Sequence, residues 1–335
     1  MKNLYILLFV CQSIFSQTVI NEYSAANFSD YTDNYGDYED WFELYNPGNT
    51  SQDLTGYYLS DKANNLTKFE LTNSTIINSN SHLRIFASNR NEENGTEIHT
   101  NFKIHQTKGN EWIILTAPDG ITIVDSIFVI PCLTNHSRGR IFDGDENWGV
   151  FTIPSPFAVN NNALASYAST PNFSYPAGNY SSSISLEISS AEEPSSSIFY
   201  TTDGSYPTNN SNLYTSPINI NESVIIKAIT ISSNTNIHES FLEYGSYFIN
   251  DTYTIPVLSV SGDEVDDLLY GNGDLYPHGT FEYFKINGEL ADKARGEFNE
   301  HGNDSWGYAQ RGFDYITRDQ FGYNYAIKDE LFRTK

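Results

Sequence analysis

Trp112-Ile113-Ile114-Leu115-Thr116, followed by Pro118-Asp119-Gly120 and Ile121-Thr122-Ile123-Val124, is the stretch that decides the fold. Asp119-Gly120 supplies the positive φ that a tight hairpin turn demands, and β-branched residues fill both flanks. Two antiparallel strands are predicted. Working outward, Asp40-Trp41-Phe42-Glu43-Leu44-Tyr45 predicts a further strand, closed by the turn residues Asn46-Pro47-Gly48. No helical period is sustained for more than a turn or two, so this part should be a sandwich or barrel of short strands. The composition agrees: aromatics make up 15% of the chain, with 24 Tyr and 21 Phe, and aromatics favour strands.

The N-terminus reads MKNLYILLFVCQSIFSQ. Lys2 gives a positive start, Leu4 to Phe15 a short apolar core, and Ser16 a small residue suited to cleavage. A bilayer needs roughly 20 apolar residues, so this run is too short to span one. Residues 1–17 are therefore expected to be a signal peptide, directing the chain to a secreted or cell-surface location. Val10 is bulky where a lipoprotein signal before Cys11 wants a small residue. No later segment reads as a membrane span. With Cys11 removed, Cys132 is the lone cysteine, so no internal disulfide is expected and hydrophobic cores must hold the domains.

Eighteen basic against 42 acidic residues give a net charge of −24. Phosphate-backbone binding needs clustered Lys and Arg, which excludes nucleic acid as the expected partner. At roughly 150 residues per domain, 335 residues suggest two or three domains. Residues 18–150 form the first module. Residues 151–170, rich in Pro, Asn, Ala and Ser, read as a linker. A second module spans 171–248, with strands at Ile184-Ser185-Leu186-Glu187-Ile188, Ser197-Ile198-Phe199-Tyr200-Thr201 and Val224-Ile225-Ile226-Lys227-Ala228-Ile229. A third region, 251–335, opens with the strand Ile255-Pro256-Val257-Leu258-Ser259-Val260, a short acidic helix between Asp263 and Tyr270, and a strand at Phe281-Glu282-Tyr283-Phe284.

Three resemblances overlay these divisions. Ile20-Asn21-Glu22-Tyr23, Asp40 to Asn46, Leu54-Thr55-Gly56-Tyr57-Tyr58-Leu59-Ser60-Asp61, Leu83-Arg84-Ile85-Phe86 and Ser137-Arg138-Gly139-Arg140 occur in the order seen in lamin-tail domains. That likeness implies an immunoglobulin-like β-sandwich with a binding or scaffolding task. Tyr200-Thr201-Thr202-Asp203-Gly204, with Leu213-Tyr214-Thr215-Ser216-Pro217-Ile218 and the Lys227-Ala228 strand, resembles the chitobiase/β-hexosaminidase C-terminal domain, an accessory sandwich. Ala294-Arg295-Gly296-Glu297-Phe298, His301 to Ser305 and Gln310-Arg311-Gly312-Phe313-Asp314-Tyr315 are similar to the opening part of a CotH-type kinase domain. The fold class expected is mainly β, with two immunoglobulin-like sandwiches before a partial α+β CotH-like region.

The CotH likeness implies that Ser305, Gln310 and Arg311 contact ATP, with Mg²⁺ or Mn²⁺, in the full-length protein. Arg311 stands where that family carries Lys, an exchange that keeps charge but not geometry. The family's acidic catalytic residues would lie beyond Lys335. A structural ion pair of Arg311 with Asp314 or Asp319 is the competing reading. Among Asp30, Asp33, Asp37, Glu39 and Asp40, the carboxylates of Asp33, Asp37 and Asp40 are candidate Ca²⁺ ligands, since Ca²⁺ takes 6–8 oxygens. A solvated acidic loop is the alternative. Asp263, Glu264, Asp266 and Asp267 suit a helix start, where they complement the dipole. Trp41, Trp112 and Trp148 read as packing residues, with Tyr206 and Tyr214 as candidate glycan contacts. Asp125-Ser126-Ile127 resembles an O-glycosylation triplet. No HExxH, GxSxG, Walker loop or Cys-His pairing occurs. The expectation is an exported modular surface protein whose sandwiches bind or scaffold, with a surface protein or a glycan as partner and no cofactor of their own. They would stand ahead of a CotH-like kinase; a purely adhesive, polysaccharide-binding protein is the alternative.

Overall fold

The computed structural model describes residues 17–93, 97–191, 195–302, 307 and 311–322. Ser305, Gln310 and most of the expected signal peptide lie outside them. The deciding hairpin is present: Trp112–Thr116 pairs antiparallel with Ile123–Phe128. Gly120 takes φ 72° in the turn, and the Asp119 carboxylate accepts from the backbone N–H of Ile121 and Thr122. Those bonds hold Ile121 and Thr122 in the turn and delay the second strand to Ile123.

In the first module a seven-stranded sheet runs in the order Trp148–Phe151, Ser137–Arg140, Val19–Ser24, Trp41–Asn46, Ser81–Phe86, Ile98–His99, Glu92–Glu93. A four-stranded sheet, Ile123–Phe128, Trp112–Thr116, Tyr58–Ser60, Phe69–Glu70, packs against it. Between them lie Ile20, Phe42, Leu44, Leu54, Leu59, Ile85, Ile113 and Leu115, all fully buried. Each such side chain contributes about 1.5–3 kcal/mol by leaving water. Alternation then turns Trp41, Glu43 and Tyr45 to the outer face of the sheet, yet all six residues of this strand are buried. Something therefore covers the outer face.

The cover is the segment expected to be a linker. Ser155 donates from its N–H and its hydroxyl to Glu22. Phe157 N–H donates to Glu43 at 2.5 Å, and Asn160 N–H to Asp143 at 2.9 Å. Val150 and Leu164 exchange backbone hydrogen bonds of 2.8 Å, and Ser166–Tyr167 pairs in parallel with Ile237–His238 of the second module. Gly149 permits this closeness, since a Cβ there would sit 2.6 Å from the Leu164 carbonyl oxygen. Residues 151–170 form a strap rather than a free tether, because their backbone N–H groups supply the hydrogen bonds that buried carboxylates need.

The second module is a five-stranded sheet in the order Gly178–Tyr180, Glu243–Ile249, Val224–Ser232, Ser196–Thr201, Asn212–Leu213. It faces the ladder of Ile184–Leu186 with Ile218–Ile220 over Leu186, Ile226, Ala228 and Tyr247. The strand expected over 184–188 divides at Glu187: Ile188–Ser189 pairs instead with Asn172–Phe173. In the third region four antiparallel strands, Val257–Ser261, His278–Phe284, Leu290–Glu300 and Phe313–Thr317, form one sheet. The helix Val265–Tyr270 buries Val265 and Leu268 beside Phe298. Modules two and three share a polar seam. Lys227 Nζ donates to the carbonyls of Gly204 and Ser261, at 2.5 and 3.3 Å. Ser246 donates to Glu282, and Lys293 pairs with Glu243 at 2.5 Å.

Candidate functional site

A cleft of about 800 Å³ opens where the third region meets the first module. One wall is the loop of residues 27–40. Asn27 ties that loop to itself: its side-chain amide donates to the carbonyls of Tyr31 and Glu39, and its carbonyl oxygen accepts from Tyr31 N–H. The opposite wall is the turn after Thr317. Asp319 at its tip enters the first module and accepts from Gln106 N–H at 2.6 Å and from the Thr107 hydroxyl. Gln106 returns a bond from its amide to the Asp319 carbonyl at 2.9 Å. The Thr134 hydroxyl donates to the carbonyl of Gln320. Phe28, His278 and Phe321 make a three-ring contact with centroids 4.8–5.2 Å apart, and the Arg318 guanidinium lies over Phe28.

Charge in the cleft is mixed. Lys103 pairs with Glu39 at 2.8 Å. Asp40 is buried, and burial, with Asp319 nearby, holds its carboxyl well above the usual range. Asp319 is also raised, by burial, although its hydrogen bonds to Thr107 and Gln106 oppose the shift. Asp319 is spent on holding the wall, and Asp40 accepts from Asn27 N–H. Both carboxylates are therefore engaged in holding the walls of the cleft.

The candidate Ca²⁺ ligands separate within this loop. Asp33 folds the loop by accepting from the N–H groups of Tyr35 and Asp37. Arg90 bridges Asp33, at 3.6 Å, and Asp37, and its guanidinium sits 4.3 Å from the centre of the Tyr35 ring. Asp40 points instead to Asn27. Among the described residues, no group of three or more His, Cys, Asp or Glu is arranged to hold a metal ion. Arg311 lies in the third region, where its guanidinium donates to the Leu269 carbonyl at the end of the short helix, a favourable place for a cation. Of its suggested partners, Asp314 bonds His301 and Asp319 bonds the first module. Ser305 and Gln310 cannot be placed beside it, being outside the described residues. Trp41 is fully buried and Trp112 packs edge-on to Phe128. Tyr206 is wedged beside Arg295, and Tyr214 packs on Tyr200.

Two further buried carboxylates carry no local motif that marks their role. Glu22 and Glu43 are register partners on adjacent central strands, fully buried beneath the strap. The available signal was a single Glu inside the apolar run Trp41-Phe42-Glu43-Leu44. Burial pushes Glu43 up to about 8 from 4.5, against the Phe157 hydrogen bond and with help from Glu22. Burial raises Glu22 too, against hydrogen bonds from Ser137 and Ser155. A raised acid binds its proton more tightly in the folded chain. Its stabilising contribution is complete below pH 4.5 and is lost as pH rises through about 8. His136, lowered to about 4 from 6.5 by burial, acts in the opposite direction, but its change is finished by pH 6.5. The urea midpoint is therefore expected to fall between pH 6.5 and about 8, and Glu43→Gln should flatten that fall. A midpoint that rises across the window contradicts this assignment.

The fold is a series of β-modules, an architecture consistent with binding or scaffolding. Residues 14–130 match the family model of the Lamin Tail Domain, and residues 175–241 match that of the Chitobiase/beta-hexosaminidase C-terminal domain. The chain is thus mainly β, with immunoglobulin-like modules of these two kinds. The strands Ser137–Arg140 and Trp148–Phe151, which complete the first sheet, follow the end of the lamin-tail match. No curated protein matches the chain. Among the described residues, no helix is long and apolar enough to cross a membrane.

Proposed function

We propose that the chain is an exported surface protein in which the two sandwiches bind a surface partner. They also hold the region after Asp251 in a fixed orientation. The observation that carries the scaffold is the junction at Asp319, where a turn of the third region is hydrogen-bonded inside the first module through three bonds. A flexible array would leave such a turn in water, because inter-domain motion is the default unless the interface holds. In this reading the region after Asp251 belongs to a CotH-like kinase. Arg311, with Ser305 and Gln310, would be its nucleotide contact for ATP with Mg²⁺ or Mn²⁺.

Fractionation of a bacterium expressing the tagged chain tests both parts. The chain is expected outside the cytoplasm without its signal peptide, and limited proteolysis should spare residues 151–170 and the Asp319 turn, residues 318–322. Retention in the cytoplasm with Met1 in place would remove export. Ready cleavage at both junctions would remove the scaffold.

A further inference from the structure

A second recess, of about 610 Å³, lies where the strap leaves the first module and meets the second. Its chemistry differs from that of the cleft at Asp319. No lining residue is charged, in a chain with 60 charged side chains (18 + 42). Four are asparagines: Asn147, Asn161, Asn162 and Asn236. They come from three separate segments: the loop before Trp148, the strap, and the turn before Ile237 of the second module. Two more are aromatic. Phe142 is 62% exposed. Trp148 packs one side on Tyr23, with centroids 5.9 Å apart, and on the Arg140 guanidinium, and it also borders the recess.

We propose that this recess binds an uncharged oligosaccharide segment of a surface polysaccharide. The proposal deepens the binding half of the reading above and does not depend on its scaffold or kinase parts. A sugar ring presents apolar C–H faces and a rim of hydroxyls that both donate and accept. An exposed aromatic face covers the first, and primary amides, which also donate and accept, match the second. The asparagines keep capacity for this. The Asn147 amide nitrogen is bonded to Asp145, and that of Asn161 to the Val159 carbonyl. Asn162 donates to Asn161, and the contacts of Asn236 run through its backbone, to Ala165 and Asn234. Each amide has two donors and two acceptor lone pairs, so positions are left over in each. An anionic glycan or peptide would find no counter-charge here, against a protein carrying −24 overall. A neutral ligand avoids that repulsion.

Calorimetry on the whole chain tests the site, with neutral hexasaccharides of β-1,4-linked glucose, β-1,4-linked N-acetylglucosamine and α-linked mannose as probes. Anionic alginate serves as the comparison. At least one neutral probe should bind, alginate should not, and Phe142→Ala should weaken binding about tenfold or more through lost stacking. Because Phe142 is exposed, its removal should leave the thermal midpoint in place; Asn161→Ala is a second variant expected to weaken binding with the fold intact. No heat with any neutral probe at millimolar concentration overturns the proposal. So does binding that both variants leave unchanged, or a preference for alginate. Failure here with both junctions still resistant to protease would remove the saccharide site alone, whereas cleaved junctions would remove the scaffold reading.

Discussion

Asp319→Ala is expected to release the third region from the first module and to lower stability by about 2–4 kcal/mol. The substitution leaves the Gln106 N–H and the Thr107 hydroxyl without their acceptor at a buried junction. An orphaned buried donor costs about 1–3 kcal/mol. Opposing this, the variant relieves a desolvated carboxylate that lies near the equally buried Asp40, which keeps the net effect below the sum. Asp319→Asn retains one acceptor and should lose about half as much. Urea unfolding gives the stability, and hydrogen exchange at the Gln106 amide gives the location. Unchanged protection at Gln106 together with an unchanged midpoint would show that the junction is held by other contacts.

The second large effect belongs to the first core. Phe42 is fully buried, with Tyr23 and Ile85 as its register partners on the two neighbouring strands. Truncation to Ala removes a ring between two sheets that cannot both move inward, so about 3–5 kcal/mol should be lost. Thermal unfolding should show this loss, while Phe142→Ala on the surface stays within about 0.5 kcal/mol. Equal midpoints for the two variants would mean that the sandwich is not packed around Phe42.

The sheets were legible in the sequence because strands write themselves at period two and turns at single residues. Asp119-Gly120 fixed a hairpin, and alternation placed Phe42 and Leu44 in the core. The acidic run before Tyr270 became the first turn of a short helix, with Asp266 and Asp267 in that turn. Contacts between distant segments left no such local mark. Asp319 is 213 residues from Gln106, and nothing around it in sequence distinguishes a buried acceptor from a solvated loop charge. The strap was hidden for a related reason. Its Pro, Asn and Ser residues are those of a flexible tether, and what holds them, such as the buried Glu22 and Glu43, lies far away in sequence. The recess beside it is likewise assembled from segments that composition would class as loop.

The strap also bears on how the chain carries load. Tension pulling the two sandwiches apart would first reach residues 151–170. In a flexible tether that tension straightens the chain at almost no resistance. Here it meets backbone bonds at Ser155, Phe157, Asn160 and Leu164, and then the short parallel ladder of Ser166–Tyr167 with Ile237–His238. The pull passes into the seven-stranded sheet before any length is released. Such a joint would act as a stiff coupling between the modules, yielding by rupture rather than by stretch.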